Sequence, residues 1–135
     1  MAAAKIVLSC CSGFGLETAT RLLANGMRVV ILDVSARELD AAKQKLATVA
    51  PPEKLLAVEC NVVIPQDCVD AAAATATFCG KDKVAFLFNN AGIQGPPSAG
   101  GIIADSSPET IEAWQQIFNV NVFGQVCSLA LYAFY

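Results

Sequence analysis

The residues of this chain that can do chemistry gather at a few turns rather than along its helices. The first is Ser9-Cys10-Cys11-Ser12-Gly13-Phe14-Gly15, between an apolar run and a helical pattern. A phosphate needs bare backbone N–H groups at a helix N-terminus, and glycine lets that backbone approach closely. Gly13-x-Gly15 meets this demand, with Ser12 and Phe14 beside it in the turn. Alone, two glycines in a turn are common. Asp33 closes the next apolar run, 20 residues after Gly13. A carboxylate there accepts both ribose hydroxyls of an adenosine and repels a 2′-phosphate. It also reads as a helix cap or a solvated aspartate. Joined to the glycine turn at this spacing, it reads as nucleotide-binding. Val34 and Ser12 bring no positive charge, so the expected cofactor is NAD rather than NADP.

Other chemistries are excluded. The chain has no histidine, which removes His-based zinc sites, Ser-His triads and Cys-His dyads together. Its six cysteines stand at 10, 11, 60, 68, 79 and 127, without C-x-x-C and without a short framework spacing. They read as small buried thiols in a reducing compartment, and no metal site is expected. Cys10 and Cys11 precede a helix, where a thiol's pKa falls and a reactive or redox-sensing thiolate is conceivable. The reading adopted is that both are small residues filling loop positions.

The elements that must carry these turns alternate. Ala3 to Leu8, Val29 to Leu32, Leu55 to Cys60 and Val84 to Phe88 are short apolar runs that read as buried strands. Helices are expected from Phe14 to Asn25, closed by Gly26, and from Ala36 to about Val49, with Ser35 as N-cap and Leu39 and Leu46 inward. A third begins at Pro65 and stops at Gly80. Ile93 to Ser106, with its glycines and prolines, reads as a loop. Ser107-Pro108-Glu109 starts a last helix that runs to the end and bends near Gly124. Apolar strands separated by crossover-length helices mean a parallel sheet covered on both faces.

The bulk properties agree. The chain has 135 residues, which is room for one domain. It is 55% apolar and 16% charged, which rules out a disordered chain. A net charge of −3 leaves no basic footprint for nucleic acid. Lys5 and the apolar residues after it are too short a run for a signal peptide, so the cytoplasm is the default location. From Ala113 to Tyr135 there is no charged residue, a length that can span a bilayer. Gln115, Gln116, Asn119, Asn121, Gln125 and Ser128 interrupt it, and a buried soluble helix is expected instead.

On these residues the chain resembles the short-chain dehydrogenase/reductase family. Its T-G-x-x-x-G-x-G corresponds to Leu8 through Gly15, and its N-N-A-G stands intact at Asn89-Asn90-Ala91-Gly92. The acidic residue that contacts adenine in the family corresponds to Asn61, followed by Val62. V-N-x-x-G is matched by Val120-Asn121-Val122-Phe123-Gly124. The resemblance implies a Rossmann-like, doubly wound α/β sheet of strand order 3-2-1-4. It implies cofactor contacts at Ser12, Gly13, Phe14, Gly15, Asp33, Asn61, Val62, Asn90, Ala91 and Gly92, and it casts Asn121 as a proton-relay member of the catalytic set.

Three departures qualify it. Ser9 replaces the first glycine and Leu8 the threonine before it, and the run from Lys5 into Gly15 is about two residues short of the family's length. The family's catalytic serine and Tyr-x-x-x-Lys have no counterpart, since the last lysine is Lys83. The expectation is a single NAD-binding unit, truncated before the catalytic strand and helix, of an oxidoreductase acting on a secondary alcohol or ketone. The rival is a non-catalytic nucleotide-binding or interaction module, with a membrane-anchored protein third. An open fourth strand and an apolar last helix are expected to make the chain a homo-oligomer or prone to aggregate.

Overall fold

A computed structural model describes residues 5–9, 11–80, 84–94 and 107–132, and the side chains of residues 11–80, 84–94 and 107–129. Cys10, Lys83, most of the Ile93 to Ser106 loop and the last three residues lie outside that description, as does the side chain of Leu131.

The elements in chain order are β1 (Lys5–Ser9), α1 (Gly13–Ala24), β2 (Arg28–Asp33), α2 (Ala36–Leu46), β3 (Leu55–Glu59), α3 (Pro65–Cys79), β4 (Phe86–Phe88), α4 (Pro108–Phe118), a π-helical stretch (Asn119–Gly124) and α5 (Gln125–Tyr132). The four strands are parallel, in the order β3-β2-β1-β4. Ile6 lies opposite both Val29 and Phe86.

Local signals set the helix boundaries. The Ser35 hydroxyl accepts the Glu38 N–H at 3.3 Å, and the Ser107 hydroxyl that of Thr110 at 3.3 Å, each satisfying a donor the helix leaves unpaired. At the end of α1, Gly26 N–H donates to Leu23 O at 2.9 Å and Met27 N–H to Leu22 O at 3.1 Å. Those two bonds form a Schellman motif. The structure ends α2 at Leu46, three residues before the expected stop, because the chain turns there before Pro51-Pro52. β4 is shorter than expected and begins at Phe86.

β2 is buried on both faces, and its side chains alternate between two cores. Val29 and Ile31 join Ala19, Leu23, Leu39 and Leu46 of α1 and α2. Val30 and Leu32 join Cys60 and the α3 residues Cys68, Ala71 and Ala72, with Cys127 of α5 packed alongside. Cys11, Cys60, Cys68 and Cys79 are buried, and the five described cysteines are free thiols. Arg28 ties the end of α3 to the sheet, its guanidinium 4.1 Å from the Phe78 ring centre and bonded to the Phe78 carbonyl.

The last helix corrects one expectation. Gly124 and Ser128 are buried, but the helix is not covered all round. Phe118 is 50% exposed, Phe123 63% and Leu129 58%, so its outer face is apolar and open. Phe86 on β4 is also 62% exposed. Among the described residues no helix is long and apolar enough to cross a membrane.

Candidate functional site

Parallel strands send all their C-terminal ends to one edge of the sheet, and loops at that edge meet where the strand order reverses. Here the reversal lies between β1 and β4, and the loops after β1, β2, β3 and β4 carry the residues singled out in the sequence.

The first loop enters α1 at Gly13, whose φ is +50°, a conformation that penalises any side chain. Nothing lies within 4 Å of where a Cβ would stand, so the space ahead of the turn is open. The Ser12 hydroxyl does not cap the helix. The backbone N–H groups of Gly13, Phe14 and Gly15 therefore precede the helix's own bonding ladder and suit an anion. Phe14 is 84% exposed, whereas Gly15 is buried.

Asp33 closes β2, and its carboxylate serves both neighbouring loops. Oδ2 accepts the Cys11 N–H at 2.9 Å, and Oδ1 accepts the Ser35 N–H at 3.0 Å. Its main-chain carbonyl also takes the Cys60 N–H at 2.9 Å. Sequence reasoning assigned Asp33 to a ribose, and the structure adds a second task, that of fastening the glycine turn to β2.

The loop after β3 is fastened in the same manner. Asp67, in the first turn of α3, accepts the Asn61 N–H at 3.0 Å, and Asn61 Oδ1 accepts the Val63 N–H at 3.2 Å. Val62 is buried and packs on Gly124, where a Cβ would come within 2.6 Å of Val62 Cγ2. Between these loops and the β4 loop lies a cleft of about 150 Å³. Leu32, Val34, Val62, Ile93 and Val120 give it apolar walls, while Asp33 and Asn61 are its polar side chains; Cys60, Ala91 and Gly92 complete the lining.

The last helix is latched to the β4 loop by three carboxamides. Asn121 Oδ1 accepts the Ile93 N–H at 2.8 Å, and its Nδ2 donates to the Ile93 carbonyl at 2.9 Å. Gln125 Nε2 donates to the Ala91 carbonyl, and Asn89 Nδ2 donates to the Gln125 carbonyl at 3.2 Å. Both ends of the Asn121 side chain are thus committed to one backbone unit. Gln125 was missed in the sequence, although a second carboxamide one turn after Asn121 was a readable signal. Asn90 and Ala91 stand in the latched loop as the motif required.

The thiols beside the cleft are not activated. Burial raises the Cys60 thiol's pKa, with the Asp67 charge adding to it and a Cys68 contact opposing it. Burial likewise pushes the Cys68 thiol well up, reinforced by Cys127 and Cys60. Among the described residues no group of three or more Cys, Asp or Glu is placed to hold a metal ion.

A parallel 3-2-1-4 sheet with a glycine turn, a strand-end aspartate and an apolar cleft at its switch point defines a Rossmann-type α/β protein. The sequence profile of the short chain dehydrogenases matches residues 4–133, and the chain belongs to that family. It is 38% identical over 124 residues to the 2-(R)-hydroxypropyl-CoM dehydrogenase of Xanthobacter autotrophicus, covering 92% of this chain and 47% of that one. It is 36% identical over 84 residues to the levodione reductase of Leifsonia aquatica, covering 62% of this chain and 31% of that one. A solved short chain dehydrogenase/reductase from Burkholderia phymatum, in complex with NAD, superposes with a TM-score of 0.82 at 29% identity, over 97% of this chain and 43% of its own. The chain spans about half the length or less of the relatives it matches.

Proposed function

We propose that this chain is the cofactor-holding part of an NAD-dependent oxidoreductase that interconverts a secondary alcohol and a ketone. The observation that carries the reading is Asp33, bonded to the glycine turn at one side of the apolar cleft. The donor set suits a dinucleotide. Backbone N–H groups of Gly13, Phe14 and Gly15, in a turn with no side chain at its first residue, suit the pyrophosphate. The Asp33 carboxylate suits ribose hydroxyls, and its negative charge disfavours a 2′-phosphate. The cleft beside Asn61 and Val62 suits the adenine. Ser12, Asn90, Ala91 and Gly92 shape the loops around it, and the relatives' names, which are those of dehydrogenases and a reductase, support the class of reaction.

When bound, the nicotinamide gives or accepts the hydride. This chain's residues bind and orient. Asn121 fixes the β4 loop through Ile93 and so sets the wall of the cleft, the part we assign it in the catalytic arrangement. A cytoplasmic location accords with the free thiols, and the open apolar faces support self-association. A second reading, favoured by the open apolar face of the last helix, is a nucleotide-binding or interaction module without turnover of its own.

Titration calorimetry with NAD(H) and NADP(H) tests the proposal. NAD(H) is expected to bind more tightly, and Asp33→Ala to erode that preference. Tighter NADP(H) binding by the unmodified chain would overturn the cofactor assignment. An NADH-absorbance assay with a panel of alcohols and ketones separates the two readings.

A further inference from the structure

We propose that Asn61 makes the base end of the cleft accept a 6-oxopurine dinucleotide, one carrying hypoxanthine, as readily as an adenine one. The inference rests on the cleft being the cofactor's base site. It starts from the orientation of one carboxamide. Asn61 Oδ1 receives the Val63 N–H at 3.2 Å, a bond only an oxygen can accept. The loop cannot easily turn away, because Asp67 holds the Asn61 N–H and the neighbouring Val62 is wedged against Gly124. The second terminal atom of the side chain is therefore Nδ2, a donor.

An aspartate in this place would offer an oxygen at both ends. One would serve Val63, and the other would present the base with an acceptor, matched to the exocyclic amine of adenine and mismatched to a 6-oxo group. Asn61 inverts that second atom. Leu32, Val34, Val62, Ile93 and Val120 are apolar and do not distinguish one purine from another. Asp33 belongs to the glycine turn and the ribose. The Cys60 thiol, also in the lining, is buried and in contact with Cys68, so discrimination at the purine edge falls to Asn61, which lacks the acceptor needed to demand an amine.

The experiment is calorimetric titration of the full chain with NAD and with nicotinamide hypoxanthine dinucleotide. The expected ratio of the two dissociation constants is within about twofold of unity or in favour of the hypoxanthine form. One hydrogen bond is worth about fivefold in affinity, so Asn61→Asp should shift the ratio toward NAD by about that factor or more. Asn61→Ala, which removes the donor, serves if the aspartate disturbs the fold: the ratio should move part of the way toward NAD, and an unmoved ratio in it would overturn the inference. Circular dichroism checks that each variant is folded. Exclusion of the hypoxanthine form by more than about twofold in the unmodified chain, or an unmoved ratio in a folded Asn61→Asp, would overturn this inference while leaving the cofactor reading intact. Failure of both dinucleotides to bind would refute the cofactor reading itself, and this one with it.

Discussion

Gly124→Ala is the most informative single substitution in this chain, because one methyl group meets both the helix and the cleft. A Cβ at 124 would stand 2.6 Å from Val62 Cγ2, 3.1 Å from Val62 Cβ and 3.3 Å from the Asn119 carbonyl oxygen. Ordinary carbon contacts lie at about 3.5–4.0 Å, so a gap of about 1 Å must open. Val62 is buried and β-branched, and its χ1 is stiff. The strain is therefore passed to the backbone of the β3 loop. Overpacking of this kind costs about 1–3 kcal/mol, against about 1 kcal/mol regained when alanine replaces glycine in a helix. The expected net loss is about 1 kcal/mol, read as a lowered urea midpoint by circular dichroism. Val62→Ala removes the 2.6 Å contact at its own cost in buried methyl groups, so in that background Gly124→Ala should cost little further, a coupling of about 1 kcal/mol. A Gly124→Ala midpoint equal to or above that of the parent, with additive behaviour in the double variant, would refute the reasoning.

Two further outcomes are expected. Asn121→Ala deletes both bonds to Ile93 and should cost about 1–2 kcal/mol, with faster hydrogen exchange at the Ile93 amide; unchanged exchange there would show that the latch is idle. The exposed Phe86, Phe118, Phe123 and Leu129 should drive dimers or larger assemblies at micromolar concentration, lost in Phe118→Ser plus Phe123→Ser; light scattering from a 14.1 kDa monomer with a cooperative thermal transition would reject this.

Much of this fold was legible because its signals are local. Ser35 and Ser107 cap the helices they were expected to cap, and the apolar run Val29 to Leu32 became a strand buried on both faces. What was not legible depends on distant parts of the chain. The bond between Gln125 and Ala91 joins residues 34 apart. The π-helical stretch from Asn119 to Gly124 left no trace in the apolar spacing, where only a bend near Gly124 was expected. The Asp33 carboxylate was read from the sequence as a ribose acceptor, but its grip on Cys11 was not legible there, since that bond exists only once β1 and β2 lie side by side.

The strand order has a consequence for how the chain comes into being. β1 finds one partner in β2, only a helix away, but its other partner is β4, with Ile6 opposite Phe86. At roughly 5–20 residues per second of synthesis, the ribosome delivers β4 on the order of ten seconds after β1. During that interval β1, β2 and β3 can pair while one flank of β1 has nothing to bond to. The half of the cleft made by Asp33, Asn61 and Val62 is thus the older half; Ala91 and Gly92 follow, just past a strand held by three residue pairs, and Val120 comes last.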